Sequence, residues 1–178
     1  MSEFSKNIWA PWRMEYIREL ARPEGGCFLC DYWKTPGDDA ANHVLWRTPR
    51  SLVCFNRYPY TNGHLLIAIG AHKAGLLELD DAEKLELMQL TADAQAVLTR
   101  AIEPHGFNIG INLGRCAGAG LPDHLHLHVV PRWGGDTNFM SVCSDVRVIM
   151  QSIDTLYGQL KKVSSELGSP HTTAARIP

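Results

Sequence analysis

At 178 residues the chain has room for one ordinary domain with one core, and 45% apolar with 20% charged residues excludes a disordered or fibrous protein. Seventeen basic against nineteen acidic residues give a net charge of −2, without the basic excess of a nonspecific nucleic-acid binder. The start, Met1-Ser2-Glu3-Phe4-Ser5-Lys6, has no apolar signal segment, and the longest apolar stretch, near Leu65 to Ala71, is too short to span a bilayer. A cytoplasmic protein with no membrane or nucleic-acid partner is therefore expected.

In chain order, residues 1–22 read as an aromatic-rich arm around Trp9, Trp12 and Tyr16, with a short helix after Pro11. Residues 23–142 form the expected domain. Cys27-Phe28-Leu29-Cys30 opens it, and Pro36-Gly37-Asp38-Asp39 marks a loop. Val44 to Arg47, Ser51 to Phe55 and His64 to Ile69 are β-branched or aromatic runs separated by turn residues, which predicts an antiparallel meander. Asp80-Asp81 at an N-cap, Leu85, Met88, Ala92 and Ala96 at helical intervals, and Pro104-His105-Gly106 as a stop predict a helix of about 20 residues across the sheet. Phe107 to Leu113 and His124 to Val130 are two further strands, joined by the glycine-rich turn Gly114 to Gly120. A C-terminal helix is expected within residues 143–168, from about Asp145, and residues 169–178 as a disordered tail. Strands, helix, strands, helix in that order imply an α+β domain with a mostly antiparallel sheet of about five strands.

The informative segment is His124-Leu125-His126-Leu127-His128-Val129-Val130. Alternation along a strand turns all three histidines to one face, roughly 6.6 Å apart, and the leucines to the opposite, apolar layer. Three buried structural imidazoles would each need a partner away from water, which disfavours a purely structural role. Two chemical roles remain open on the residues alone: a metal site of His124, His126 and His128, or one nucleophilic imidazole flanked by supporting ones. The preceding turn with Gly118 and Gly120 suits a phosphate, because its backbone N–H groups can approach an anion closely.

Asn112-Leu113-Gly114, Gly120 and His124-x-His126-x-His128-Val129-Val130-Pro131-Arg132 resemble the signature of the histidine triad superfamily of nucleotide hydrolases and transferases. Phe55-Asn56-Arg57-x-Pro59-x-x-x-Gly63-His64-Leu65-Leu66-Ile67 is similar to its second motif. Trp9 to Ile17, with Pro131-Arg132-Trp133-x-Gly135-Asp136-x-Asn138-Phe139, resembles the bacterial branch of diadenosine tetraphosphate phosphorylases and Fhit-like hydrolases. The resemblance implies a histidine triad fold, a homodimer, and cleavage of a dinucleoside polyphosphate at the α-phosphorus. His126 would be the nucleophile forming a nucleotidyl-histidine, and His128 and His64 would orient it and bind the α-phosphate. Asn56 would bind the ribose, and Asn112 would lie near the phosphates.

One departure matters. Where many family members carry Gly-Gln and a hydroxyl residue, this chain has Gly120-Leu121-Pro122-Asp123, so only the Leu121 backbone N–H is left to contact substrate. Without that glutamine, the reading leans towards transfer to phosphate. A non-catalytic adenine-nucleotide sensor is the alternative from another class.

Cys27-x-x-Cys30 fits a half zinc site better than a redox pair, since no thioredoxin-like βαβ pattern surrounds it. His72 and His124 are the candidates to complete a Cys₂His₂ set, a layout that superfamily members resemble. His124 would then be a positional support for His126. Mg²⁺ or Mn²⁺ is expected to travel with a polyphosphate substrate.

Overall fold

The computed structural model describes residues 26–136 and 149–171. The aromatic arm, residues 1–22, lies outside them, as do Cys143 and residues 172–178. The described residues include five strands: β1 (Val44–Arg47), β2 (Ser51–Phe55), β3 (Leu65–Ile69), β4 (Gly106–Ile111) and β5 (His126–Arg132). They form one sheet in the order β1-β2-β3-β5-β4, and every pair is antiparallel. The expected meander and α+β class are both present. Among the described residues three α-helices pack on it: α1 (Phe28–Lys34), α2 (Asp81–Ile102) and α3 (Ile153–Leu167).

Local sequence accounts for these boundaries. In the β1–β2 turn, the Thr48 hydroxyl accepts from the Ser51 N–H at 2.8 Å, while the Thr48 N–H bonds Ser51 O at 2.9 Å. Helix α2 starts with a capping box in which Asp80 accepts from the Glu83 N–H and the Glu83 carboxylate accepts from the Asp80 N–H. It ends on Glu103 in the left-handed region, just before Pro104.

The expected start of the C-terminal helix, about Asp145, lies outside the described residues, and the helix they include begins at Ile153. Residues 149–152 are not helical, because Ser152 is extended and its hydroxyl accepts from the Thr155 N–H, which makes it an N-cap. The start of the expected tail is also held: His171 bonds the Asp93 carboxylate of α2 through its backbone N–H at 2.6 Å and Nδ1 at 2.7 Å.

Strands β2 and β3 are buried at every residue, since both sheet faces are covered there. Leu45, Val53, Leu65, Ile67, Leu127 and Val129 meet α2 and α3 on one face, with Leu90, Val97, Leu98, Leu156 and Leu160 opposite. Leu52, Cys54, Leu66 and Ala68 meet Leu29 and Tyr32 of α1 on the other. Cross-strand register pairs His128 with Leu66 and His126 with Ala68, so both histidines stand on the α1 face. One face is core and the other carries the chemistry, as the alternation predicts.

Helix α1 is anchored from below. Arg47 donates to Trp33 O at 3.2 Å and to Tyr32 O, and its guanidinium lies 5.6 Å from the Trp33 ring centroid. The ring also lies against Gly70, where an added Cβ would sit 2.2 Å from it. Trp33 is thus a packing residue. Gly70→Ala should cost about 1–3 kcal/mol by forcing the ring off its seat. Gly106→Ala, where nothing lies within 4 Å, should change stability by under about 0.5 kcal/mol. Urea unfolding of the two variants checks this, and equal effects would contradict the packing account.

Candidate active site and metal centre

Four histidines converge at the start of β5, and the partner of each sets its tautomer. His124 precedes the strand proper and is 1% exposed. Its Nε2–H donates to Ile69 O at 2.7 Å, which leaves Nδ1 as a bare lone pair. That nitrogen lies 3.1 Å from Cys27 Sγ and 3.4 Å from Cys30 Sγ. His72 Nδ1 lies 3.1 Å from Cys30 Sγ. The four donor atoms all fall within 4.8 Å of one another, the spread expected of tetrahedral ligands around a zinc ion. Among the described residues this is the group of His, Cys, Asp and Glu side chains able to hold a metal, and it is the set expected from sequence. Burial pushes the Cys27 thiol up to about 11, so ionising it calls for a neighbouring cation.

His126 is 6% exposed, and its ring is oriented the other way round. Nδ1–H donates to His124 O at 2.8 Å, leaving Nε2 bare. Burial depresses the pKa of both His126 and His124, which favours the neutral rings whose lone pairs are available. His126 does not join the Cys27, Cys30 and His72 group, so a metal site built from all three triad histidines is not what the geometry presents.

His64, fully buried just before β3, accepts on Nδ1 from the Tyr60 N–H at 3.1 Å, with Asn56 Nδ2 at 3.3 Å. Its Nε2–H therefore donates to His128 Nδ1 at 2.9 Å, which leaves the His128 proton on Nε2. The His128 ring is stacked on Tyr60, with centroids 5.9 Å apart, and lies 4.9 Å from the His126 ring. Asn56 is fixed as well, since its Oδ1 accepts from the Tyr58 N–H at 2.9 Å.

The glycine-rich turn behaves differently from its expectation in part. Residues 115–117 form a 3₁₀ turn, and the Gly118 N–H donates inside it to Arg115 O at 3.0 Å. Gly118 therefore spends its donor locally and offers its carbonyl, which Asn112 Nδ2 approaches at 3.5 Å. The turn's backbone bonds run from Ala117, Gly118 and Ala119 and do not involve the N–H groups of Gly120 and Leu121. The Leu121 side chain packs on the apolar cluster around Leu29 and Leu66. Arg132 is a strut: Nε and Nη2 bond the two Asp136 oxygens at 2.5 and 2.9 Å, and Nη1 bonds Asn108 Oδ1 at 2.7 Å.

Sequence reasoning missed Tyr60 and Ile69. Each acts on a histidine through a backbone group, the Tyr60 N–H or the Ile69 carbonyl, that nearly any residue type supplies, so residue type carries almost no signal. The stacked Tyr60 ring could have been suspected only from its place in the second motif.

The HIT domain family pattern matches residues 38–135. AP-4-A phosphorylase of Mycobacterium tuberculosis (strain H37Rv) is 38% identical over 151 residues, covering 82% of this chain and 77% of that protein. The chain belongs to the HIT family. A second HIT relative is bis(5'-nucleosyl)-tetraphosphatase [asymmetrical] of Schizosaccharomyces pombe, 27% identical over 132 residues, which covers 74% of this chain and 65% of that one. Among solved structures, a Zn-bound histidine triad family protein from Mycobacterium smegmatis matches with TM-score 0.65 at 23% identity, over 80% of this chain and 96% of that one. That likeness speaks for the shared HIT fold.

The hydrogen bonds make a direct prediction. Long-range ¹H–¹⁵N spectra of the rings should find the proton on Nδ1 in His126 and on Nε2 in His124 and His64. A proton on Nε2 of neutral His126 would overturn the assignment.

Proposed function

We propose that this HIT protein transfers a nucleotidyl group from a dinucleoside polyphosphate of the diadenosine tetraphosphate type, through a covalent nucleotidyl-His126. The observation carrying this reading is the bare Nε2 of His126 on the α1 face, with its other nitrogen tied to a backbone carbonyl. Nε2 attacks the α-phosphorus, the bond to the β-phosphate bridge oxygen breaks, and a nucleoside triphosphate departs with the bonding pair. The Nδ1–H bond to His124 O supports the positive ring that results. His128 Nε2–H donates to an α-phosphate oxygen, and His64 holds His128 in that tautomer. Asn56 bonds the ribose, and Asn112, Gly120 and Leu121 line the phosphates, the last two through backbone N–H groups.

Phosphate is the favoured acceptor, and ADP the product of the second step: its oxygen attacks the α-phosphorus and the N–P bond breaks, returning the pair to Nε2. Two things support this choice. The M. tuberculosis relative is an AP-4-A phosphorylase, and an apolar Leu121 side chain cannot hold an attacking water. Phosphate carries its own charge and needs less placing than water does. Mg²⁺ or Mn²⁺ enters with the substrate.

Zn²⁺ is proposed at Cys27, Cys30, His72 and His124, supported by the donor geometry. Bound there, it would supply the positive charge that the two half-buried thiolates balance, and would take no part in the transfer. A homodimer across the open edge of β4 is also proposed, where Ile109 is 43% exposed. A cytoplasmic setting suits the reduced cysteines. No helix among the described residues is long and apolar enough to cross a membrane.

Incubation with diadenosine tetraphosphate should give ADP and ATP only when inorganic phosphate is present. AMP plus ATP without phosphate would make the protein a hydrolase, and no turnover with intact nucleotide binding would make it a sensor. His126→Ala should lower kcat by about a thousandfold or more with nucleotide affinity largely kept.

Elemental analysis should find one zinc per chain, lost in the Cys27→Ser/Cys30→Ser double variant. A metal-free parent protein with full stability would end the zinc proposal.

A further inference from the structure

The hydrogen bond that orients His126 ends on a carbonyl that is itself held. His124 O belongs to the same peptide group as the Leu125 N–H, and that N–H donates to Lys73 O at 2.7 Å. One peptide plane therefore runs from the Lys73 carbonyl to the His126 ring. The Lys73 ammonium is fixed in turn, 2.7 and 2.6 Å from the two oxygens of Glu83. Glu83 lies in the first turn of α2, where its carboxylate also accepts from the Asp80 N–H at 2.8 Å.

We propose that Lys73 and Glu83 are a positioning pair for the nucleophile, acting through the His124–Leu125 peptide. The inference rests on the reading of His126 as nucleophile. The ion pair ties the loop carrying His72 to the start of α2 in the opposite layer. This keeps the Lys73 carbonyl where it fixes the peptide, and the peptide fixes the ring angle. Donation from Leu125 N–H to Lys73 O also polarises His124 O, which strengthens its hold on the His126 Nδ1–H. Neither side chain touches substrate. The Glu83 side chain is only 10% exposed, so removing Lys73 alone strands a buried carboxylate, and removing both charges together does not.

Lys73→Met, Glu83→Gln, the double variant and Lys73→Arg are compared with the parent, each purified with its metal, on diadenosine tetraphosphate plus phosphate. Each single charge loss should lower kcat by about 10- to 100-fold, with KM within about twofold. The double variant should be no worse than the poorer single, and Lys73→Arg should stay within about threefold by restoring the pair. Single losses changing kcat by less than about twofold would overturn the proposal, as would equal losses in all four variants.

A measurement on the parent covers variants that fail to fold. The Leu125 amide should be strongly protected from hydrogen exchange and the His126 Nδ1–H should give a resolved signal, which broadens in Glu83→Gln. A Leu125 amide exchanging as fast as exposed loop amides would overturn the proposal by itself. A parent that turns over no dinucleoside polyphosphate defeats the functional reading, while the amide and ring signals still decide the positioning.

Discussion

The site depends on the His124–Leu125 peptide standing outside the sheet. Within a ladder, a strand's carbonyls and N–H groups are spent on neighbouring strands. Pairing of β5 with β3 begins only at His126, opposite Ala68. The peptide just before it is free to bond sideways, and it does so twice, to the His126 ring and to Lys73 O. Had the ladder with β4 run on to His124, His124 O would face that strand, as Arg132 O faces the His105 N–H, and His126 would lose the partner that sets its tautomer.

His124 consequently serves both centres. Its side chain faces Cys27 and Cys30 at the start of α1 and its main chain holds the His126 ring, so the proposed metal ligands and the proposed nucleophile are joined through one residue. Desolvation acts on both rings in the same direction. Burial lowers the pKa of His124 and of His126, and a neutral ring is what the roles proposed for them, ligand and nucleophile, each require. The apolar packing of Leu125, Leu127 and Val129 against α2 and α3 thereby supports the chemistry on the opposite face.

Much of this was legible in the chain. Alternation at His124 to Val130 fixed which side chains face which layer, and Asp80 with Pro104 bracketed α2 to within about two residues. Cys27, Cys30, His72 and His124 are drawn together as their residue types suggested. What escaped the sequence is written in main-chain atoms: Ile69 O and the Tyr60 N–H setting tautomers, the Gly118 N–H spent inside its own turn, and the Lys73 carbonyl. The start of α3 had a signal, Ser152 three residues before Thr155, but the apolar spacing upstream competes with it.

Four adjacent histidines could in principle exchange protons and blur their roles, since identical imidazoles have no intrinsic ranking. Here three of the four are anchored to a backbone group of fixed polarity: a carbonyl for His124, a carbonyl for His126 and an N–H for His64. A carbonyl can only accept and an N–H can only donate, so these rings have no tautomeric choice, and His64 passes its constraint to His128. Division of labour among like residues is therefore imposed by the fold. Substitutions among neighbouring side chains can leave it intact, whereas a shift of the backbone at residues 69, 73 or 124 cannot.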